Sequence, residues 1–394
     1  MATQTYRFAE RMHIMKPSPT LAVSDAARQL TLAGHDVVDL GGGDPDFATP
    51  GHIVQAATKA LHEGFTHYVA SSGIPPLRKA IAAKLQRDNG VAYDPNSEII
   101  VTPGGKAALA ISLLALVDGG DEALIIDPGW VSYAPATQLT GATPVQVPLS
   151  PDDNWTITAD LLRRYVTLRS RVLVFNSPNN PTGRIATQAE LQAVADVARE
   201  NDLIVISDEI YEKLVYDGRT HTSIASLPGM RERTIIVNGF SKPYAMTGWR
   251  LGYVAAPREL VTQIATIHSH TATCATSFAQ VGGVAAYDGP QECIATMNAA
   301  YDRRRRLVAE GLSALPGITC PLPEGAFYAF ADIRGTSLSA TDFATQLLQA
   351  QYVAVTPGDA FGPAGAGYVR LSVANSDEML QKAVDRIGAF VRAL

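Results

Sequence analysis

The stretch Thr234-Ile235-Ile236-Val237-Asn238-Gly239-Phe240-Ser241-Lys242 reads as a strand apolar almost end to end, stopped at a glycine, with a lysine just past its end. Strands of that composition are buried on both faces, and they belong to mostly parallel sheets covered by helices. The flanking sequence repeats the pattern. Leu203 to Ser207 runs into Asp208-Glu209-Ile210-Tyr211, and Val172 to Phe175 runs into Asn176-Ser177-Pro178-Asn179-Asn180-Pro181-Thr182-Gly183. Glu98 to Thr102 leads to Pro103-Gly104-Gly105-Lys106, and Ala123 to Asp127 and Gly252 to Ala255 are further candidate strands. Helical patterns separate them from about residue 50 to 255, so the expected class is α/β.

The helices are punctuated. Thr49 is placed to cap the first, Pro50 suits its first turn, Ile53, Val54, Ala57 and Leu61 recur at helical spacing, and Gly64 ends it. A second helix is expected from Pro75-Pro76 to Asn89-Gly90. The near-apolar run Ala107 to Val117, interrupted by Ser112, is too short to span a bilayer and reads as a buried helix. Beyond about residue 290 come a long charged helix, short strands near Ala326 to Asp332 and Val369 to Val373, and a closing helix. This organisation gives a large domain over residues 48–290 and a smaller one from residues 1–47 and 291–394.

The 394 residues are 46% hydrophobic and 18% charged with a formal charge of −6, a composition that fits a folded protein throughout. Lysine and arginine cluster only at Arg303 to Arg306, read as a solvated helix face, so no nucleic-acid partner is expected. Cys274, Cys293 and Cys320 form no close pair, which argues against a zinc site or a disulfide framework and suits the cytoplasm. Arg7, Glu10 and Arg11 stand where a secretory signal needs an apolar core, and neither a secretory signal nor a membrane association is expected.

Ligands of open parallel sheets bind outside the carboxyl ends of the strands. Gly104-Gly105 opens a helix whose N-terminal amides and partial positive charge suit a phosphate, or is simply a tight turn. The Asn179-Asn180 loop is stiff enough to aim an amide at a ligand, or holds only Asx turns. Asp208 ends a buried strand and needs a cation; a protonated pyridine nitrogen would serve. Lys242, in apolar surroundings, can lose its proton near neutral pH and attack an aldehyde, although a lone lysine is ordinarily a solvated group. Ser241 and Arg250 are phosphate ligands by type. What carries weight is that all of them fall on strand ends that should share one rim. Rival motifs fail: Asp44-Pro45 follows Gly41-Gly42-Gly43 where a dinucleotide-binding helix would start, no P-loop or H-E-x-x-H occurs, and His268 and His270 are read as structural.

Along essentially its whole length the sequence resembles the class I aminotransferases of pyridoxal-phosphate fold type I, most of all the bacterial aspartate and prephenate branch. The resemblance is carried by Met15 to Ser18, Gly43 to Phe47, Tyr68 with Gly73-Ile74-Pro75, Gly104 to Lys106, Trp130 to Tyr133, Asn179 to Gly183, Ser207 to Tyr211, Ser241-Lys242, Met246 to Arg250 and Val369 to Ser372. It implies a mostly parallel seven-stranded sheet flanked by helices, a smaller α+β domain, and pyridoxal 5′-phosphate held as a Schiff base on Lys242. Asp208 would keep the pyridine nitrogen protonated, Asn180 and Tyr211 would bond the ring's phenolic oxygen, and Trp130 would stack on the ring. Gly104, Gly105, the Lys106 backbone, Ser241 and Arg250 would hold the phosphate with Tyr68 from the partner of a homodimer.

Arg370 would clamp the substrate's α-carboxylate, assisted by Gly43, Asn180 and Trp130, while Lys106 and Thr20 resemble the pair that holds a distal carboxylate. The reaction implied is ping-pong transfer between an L-amino acid and a 2-oxo acid, aspartate or glutamate with oxaloacetate or 2-oxoglutarate first. Asp127-Pro128-Gly129 before Trp130, and Tyr68 to Ser72, depart from the usual wording beside the pocket, which leaves aromatic, prephenate or specialised substrates open. The same fold also hosts lyases and synthases, and DNA-binding regulators that carry a helix-turn-helix upstream; here the resemblance begins near Met15, leaving no room for that module.

Overall fold

The computed structural model describes residues 6–394. Strand β1 (Val38–Asp39) precedes seven longer ones: β2 (Ile99–Thr102), β3 (Glu122–Asp127), β4 (Thr143–Pro148), β5 (Ser170–Asn176), β6 (Ile204–Asp208), β7 (Thr234–Gly239) and β8 (Gly252–Ala255). These seven form one sheet in the order β2-β8-β7-β6-β5-β3-β4. Only β8 runs against its neighbours, β2 and β7; the remaining pairs are parallel. The fold is therefore α/β, with six strands aiming their carboxyl ends at one rim.

Every residue of β3, β7 and β8 is buried, as strands sandwiched between helix layers must be. One layer packs the helix Gly105–Leu116 through Ala108, Leu109, Ile111 and Leu113 against Ile125, Val174, Ile206 and Val237. The opposite face meets the helix Gln188–Glu200 through Leu191, Val194, Ala195 and Ala198. Its start is the Thr187 capping box, in which the Thr187 hydroxyl accepts the Glu190 N–H while the Glu190 carboxylate accepts the Thr187 N–H.

A three-stranded antiparallel sheet, β11 (Thr356–Pro357), β12 (Tyr368–Ser372) and β9 (Tyr328–Asp332), and the pair of β1 with β10 (Val353–Ala354) build the second core. That core is closed by the helices Glu292–Ser313 and Asp377–Arg392. Among the described residues no helix is long and apolar enough to cross a membrane.

Three readings of the sequence need correction. Thr49 does not cap the first helix, Gly51–His62, whose N-cap is Pro50; its hydroxyl instead donates to Ala245 O (2.7 Å) and accepts from Trp249 Nε1 (3.0 Å), tying this segment to the Lys242 loop. Arg303 to Arg306 is not a solvated face: Arg304 and Arg305 are buried. Each is compensated, Arg304 by Asp46 and Asp377, Arg305 by Asp302, Asp217 and the Pro323 carbonyl, as buried guanidinium groups require. Edge strand β4 was not anticipated, because Pro144 and Pro148 each remove a ladder donor, a loss tolerable only at an edge.

Candidate active site

A cavity of about 450 Å³ opens at the rim of the large sheet. Asn176 ends β5, Asp208 ends β6, and Ser241 and Lys242 follow β7, so the parallel topology delivers four strand-end groups to one place. Asp208 is buried; Tyr133 Oη donates to its Oδ2 (2.9 Å) and the Ile210 N–H to its Oδ1 (3.2 Å). Burial outweighs both donors and pushes the carboxyl up to about 6. Burial likewise brings the Lys242 amine down to about 8, with the Asp44 carboxylate opposing and the Arg370 and Arg250 charges adding to the shift. Lys242 Nζ donates to the Gly43 carbonyl (2.5 Å). That approach needs the absence of a side chain, since a Cβ at Gly43 would lie 2.5 Å from Tyr328 Oη.

One end of the cavity is made for an anion. Gly104 holds φ +85°, and a Cβ there would lie 2.5 Å from Arg250 Nη2; with glycine in place the helix Gly105–Leu116 starts with uncapped amides beside a guanidinium. Ser241 and Arg250 line the same end. A phosphate fits this cradle, and a protonated ring nitrogen fits the buried, cation-poor acid Asp208.

The other end holds Arg370, 2% exposed. Its Nη1 donates to Asn180 Oδ1 (3.0 Å) and its Nη2 to the Gly41 carbonyl (2.6 Å), while Nε has no partner. Its plane lies over the Tyr328 and Phe361 rings, at 4.3 and 4.8 Å. Among the described residues no carboxylate forms an ion pair with it, which leaves a desolvated cation open to an acidic ligand. Tyr211 Oη and Tyr328 Oη are 2.8 Å apart between the two ends.

The outer wall is Thr20, Leu21, Ser24, Lys106 and Trp130. Lys106 Nζ sits 5.1 Å from the Trp130 ring centroid, and burial with the nearby Arg250 charge lowers its affinity for its proton. The structure lines this cavity with every candidate named from the sequence except Gly104, which lies just behind Gly105 against Arg250, and Tyr68, which is 85% exposed and outside the cavity. It adds Tyr133, Asn176, Asp44 and Tyr328, for which the sequence suggested no role. One carried a signal: Asn176 is the last residue of a buried strand.

The model of the aminotransferase class I and II family matches residues 35–387. This chain belongs to that family. An aspartate aminotransferase of Musicola paradisiaca is 45% identical over 380 residues, covering 96% of this chain and 95% of the relative. An aspartate/prephenate aminotransferase of Cereibacter sphaeroides is 44% identical, covering 96% and 97%. Among solved structures, aspartate aminotransferase from Thermus thermophilus with maleate superposes with a TM-score of 0.93 at 41% identity, covering 99% of this chain and all of the other. As a member of the family the protein is a pyridoxal-phosphate-dependent aminotransferase, exchanging nitrogen between amino and 2-oxo acids.

Proposed function

We propose that this aminotransferase works on aspartate and glutamate with their 2-oxo acids, and that the cavity residues divide the work as follows. Pyridoxal phosphate, when bound, supplies an aldehyde carbon for the amine and a ring that accepts electrons. Lys242, its amine brought down to about 8 by burial, would hold that carbon and, when its amine is free, would take the proton from the substrate's Cα and give it back on the same side of the site. Asp208 keeps the ring nitrogen protonated, Asn180 and Tyr211 bond its phenolic oxygen, and Trp130 covers its face. Gly104, Gly105 and the Lys106 backbone, with Ser241 and Arg250, would hold the phosphate. Arg370 receives the α-carboxylate with Gly43 and Asn180 beside it. Lys106, joined by Thr20, meets the distal carboxylate.

The observation carrying this reading is that one cavity holds Asp208, Lys242 and a buried Arg370 to which the described residues offer no carboxylate. Tyr68 reaches the phosphate only in a homodimer, from the partner. Exposure of Tyr68 and of Phe8, Met12 and Ile14 near the N-terminus supports such an interface. The division into a large domain, residues 48–290, and a small one, residues 1–47 and 291–394, is supported by one core drawn wholly from the first set and another drawn mainly from the second, with Tyr211, Leu214 and Tyr216 joining it. Three free cysteines fit a reducing cytoplasm.

The test is the absorbance of the holoenzyme before and after L-aspartate without any oxo acid, with the product identified. Conversion of the cofactor to its amine form with one equivalent of oxaloacetate is expected. In Lys106→Ala the conversion of aspartate should weaken about ten- to a hundredfold more than that of a neutral amino acid; equal losses would remove Lys106 from specificity. No conversion with aspartate but conversion with phenylalanine would reassign the substrate class.

A further inference from the structure

Glu209, next in sequence to Asp208, belongs to a cluster of buried charged groups away from the cavity lining. Glu209 is 0% exposed and Lys84 1%, with Glu212, Asn89 and Asn238 buried beside them. Lys84 Nζ donates to Glu212 Oε1 and to Asn89 Oδ1 (2.8 Å). Asn89 Nδ2 donates to Glu212 Oε2 (2.8 Å) and to Glu209 Oε2 (3.1 Å). Glu209 Oε1 also accepts from the hydroxyls of Ser207 (3.0 Å) and Ser223 (2.6 Å), and His221 Nε2 lies 3.2 Å from Oε2.

Asn89 reaches this position because the helix Pro75–Lys84 widens into a π turn, Leu85–Asn89, closed by Gly90 at φ +69°. Such turns interrupt regular helix bonding and tend to mark side chains that must be re-aimed. Glu209, Glu212 and His221 have ligand-type atoms within 4.8 Å of one another. Both Glu212 oxygens, however, already accept from Lys84, Asn89 and Asn238, so the charge is met from within the chain. What the cluster joins is informative. Asn238 Nδ2 donates to Glu212 Oε1 (2.9 Å) and Asn238 Oδ1 accepts the Gly239 N–H (2.7 Å). Glu212 lies four residues after Asp208, and Asn238 four before Lys242.

We propose that Glu212 is a positioning residue for amino transfer: anchored by Lys84 and Asn89, it holds Asn238 and so fixes the end of β7, which leads to Lys242, against the turn that follows Asp208. The proposal rests on the roles given above to Lys242 and Asp208. A buried ion pair is no better for stability than an apolar pair of similar volume, whereas only an acceptor at position 212 can hold the Asn238 amide. The geometry of a reacting amine is sensitive to small displacements.

Two charge-balanced double variants separate the roles: Lys84→Met with Glu212→Gln keeps an acceptor for Asn238, and Lys84→Met with Glu212→Leu does not. The two should melt within a few degrees of each other, yet the leucine variant should lose about ten- to a hundredfold in kcat with little change in KM. In the substrate-free holoenzyme, the midpoint of the pH titration of the cofactor's visible absorbance should shift in the leucine variant and stay near wild type in the glutamine variant. Equal kcat and equal midpoints in the two would overturn the proposal. If the leucine variant does not fold, Asn238→Leu leaves Lys84, Asn89 and Glu212 paired and must show the same shift in midpoint; an unmoved midpoint overturns it too. The titration needs no amino donor, so a wild-type enzyme that failed to transaminate would refute the assigned reaction and leave this result readable.

Discussion

Asp127 ends β3 and Asp208 ends β6, with β5 between those strands, and burial pushes each carboxyl up to about 6. By burial and acidity they are near equals, but their surroundings differ. Asp208 accepts from Tyr133 Oη and from a backbone N–H and lines the cavity that holds Lys242. Asp127 is outside that cavity. Its Oδ2 accepts from the Ala364 N–H (3.2 Å), its Oδ1 has no partner, and it packs on Gly362, where any Cβ would collide with it. A raised pKa therefore does not by itself mark a working acid. What distinguishes Asp208 is room for a cation beside the carboxylate and donors that keep it ionised once the cation arrives.

The largest expected effect follows. Asp208→Asn removes the charge that would hold a ring proton and should lower kcat by roughly 10²- to 10³-fold, with a melting temperature of the cofactor-free protein no lower than wild type. Steady-state rates with a saturating amino donor decide it; a loss below about fivefold would place the ring nitrogen elsewhere. A smaller effect is expected of Tyr133→Phe. Losing the hydroxyl makes Asp208 resemble Asp127, pushes its pKa further up by removing a donor to the carboxylate, and should cost about three- to tenfold in kcat/KM. The loss should grow toward low pH, where the Asp208 of the variant takes up its own proton before that of the wild type; a uniform loss across pH would assign Tyr133 to packing instead.

These two residues also show how far the sequence could be read. Asp208 was legible because a charge at the end of an apolar run contradicts its surroundings, and the same contradiction exposed Lys242, whereas the role of Asn180 came from the family resemblance alone. Six of the seven sheet strands were legible for the complementary reason: burial over most of their length leaves them largely apolar. Tyr133 and Tyr328 were not, since a tyrosine in an apolar segment serves the core equally well, and only the hydroxyl's partner separates the two uses. Arg304 and Arg305 were misread because their counter-charges, Asp46, Asp217 and Asp377, are far away in sequence. The Lys84 cluster depends on a π turn, which leaves no mark on hydrophobic periodicity.

The smallest effect on activity, and the sharpest test of the comparison, is expected at Asp127. A carboxyl whose folded pKa is raised above the unfolded value of 3.8 favours the folded state fully only below that value, and the contribution is lost as pH rises through about 6. At neutral pH the wild-type protein therefore carries a buried charge with one unpartnered oxygen. Asp127→Asn keeps the shape and removes the charge, so the variant should be more stable than wild type by about 1–2 kcal/mol at pH 7.5. That advantage should shrink toward pH 5, while kcat stays within about twofold because no part of the side chain faces the cavity. Denaturant unfolding at the two pH values measures it. An advantage independent of pH would mean that the carboxyl is not the source, and a large fall in kcat would mean that the two aspartates are less different than their neighbours imply.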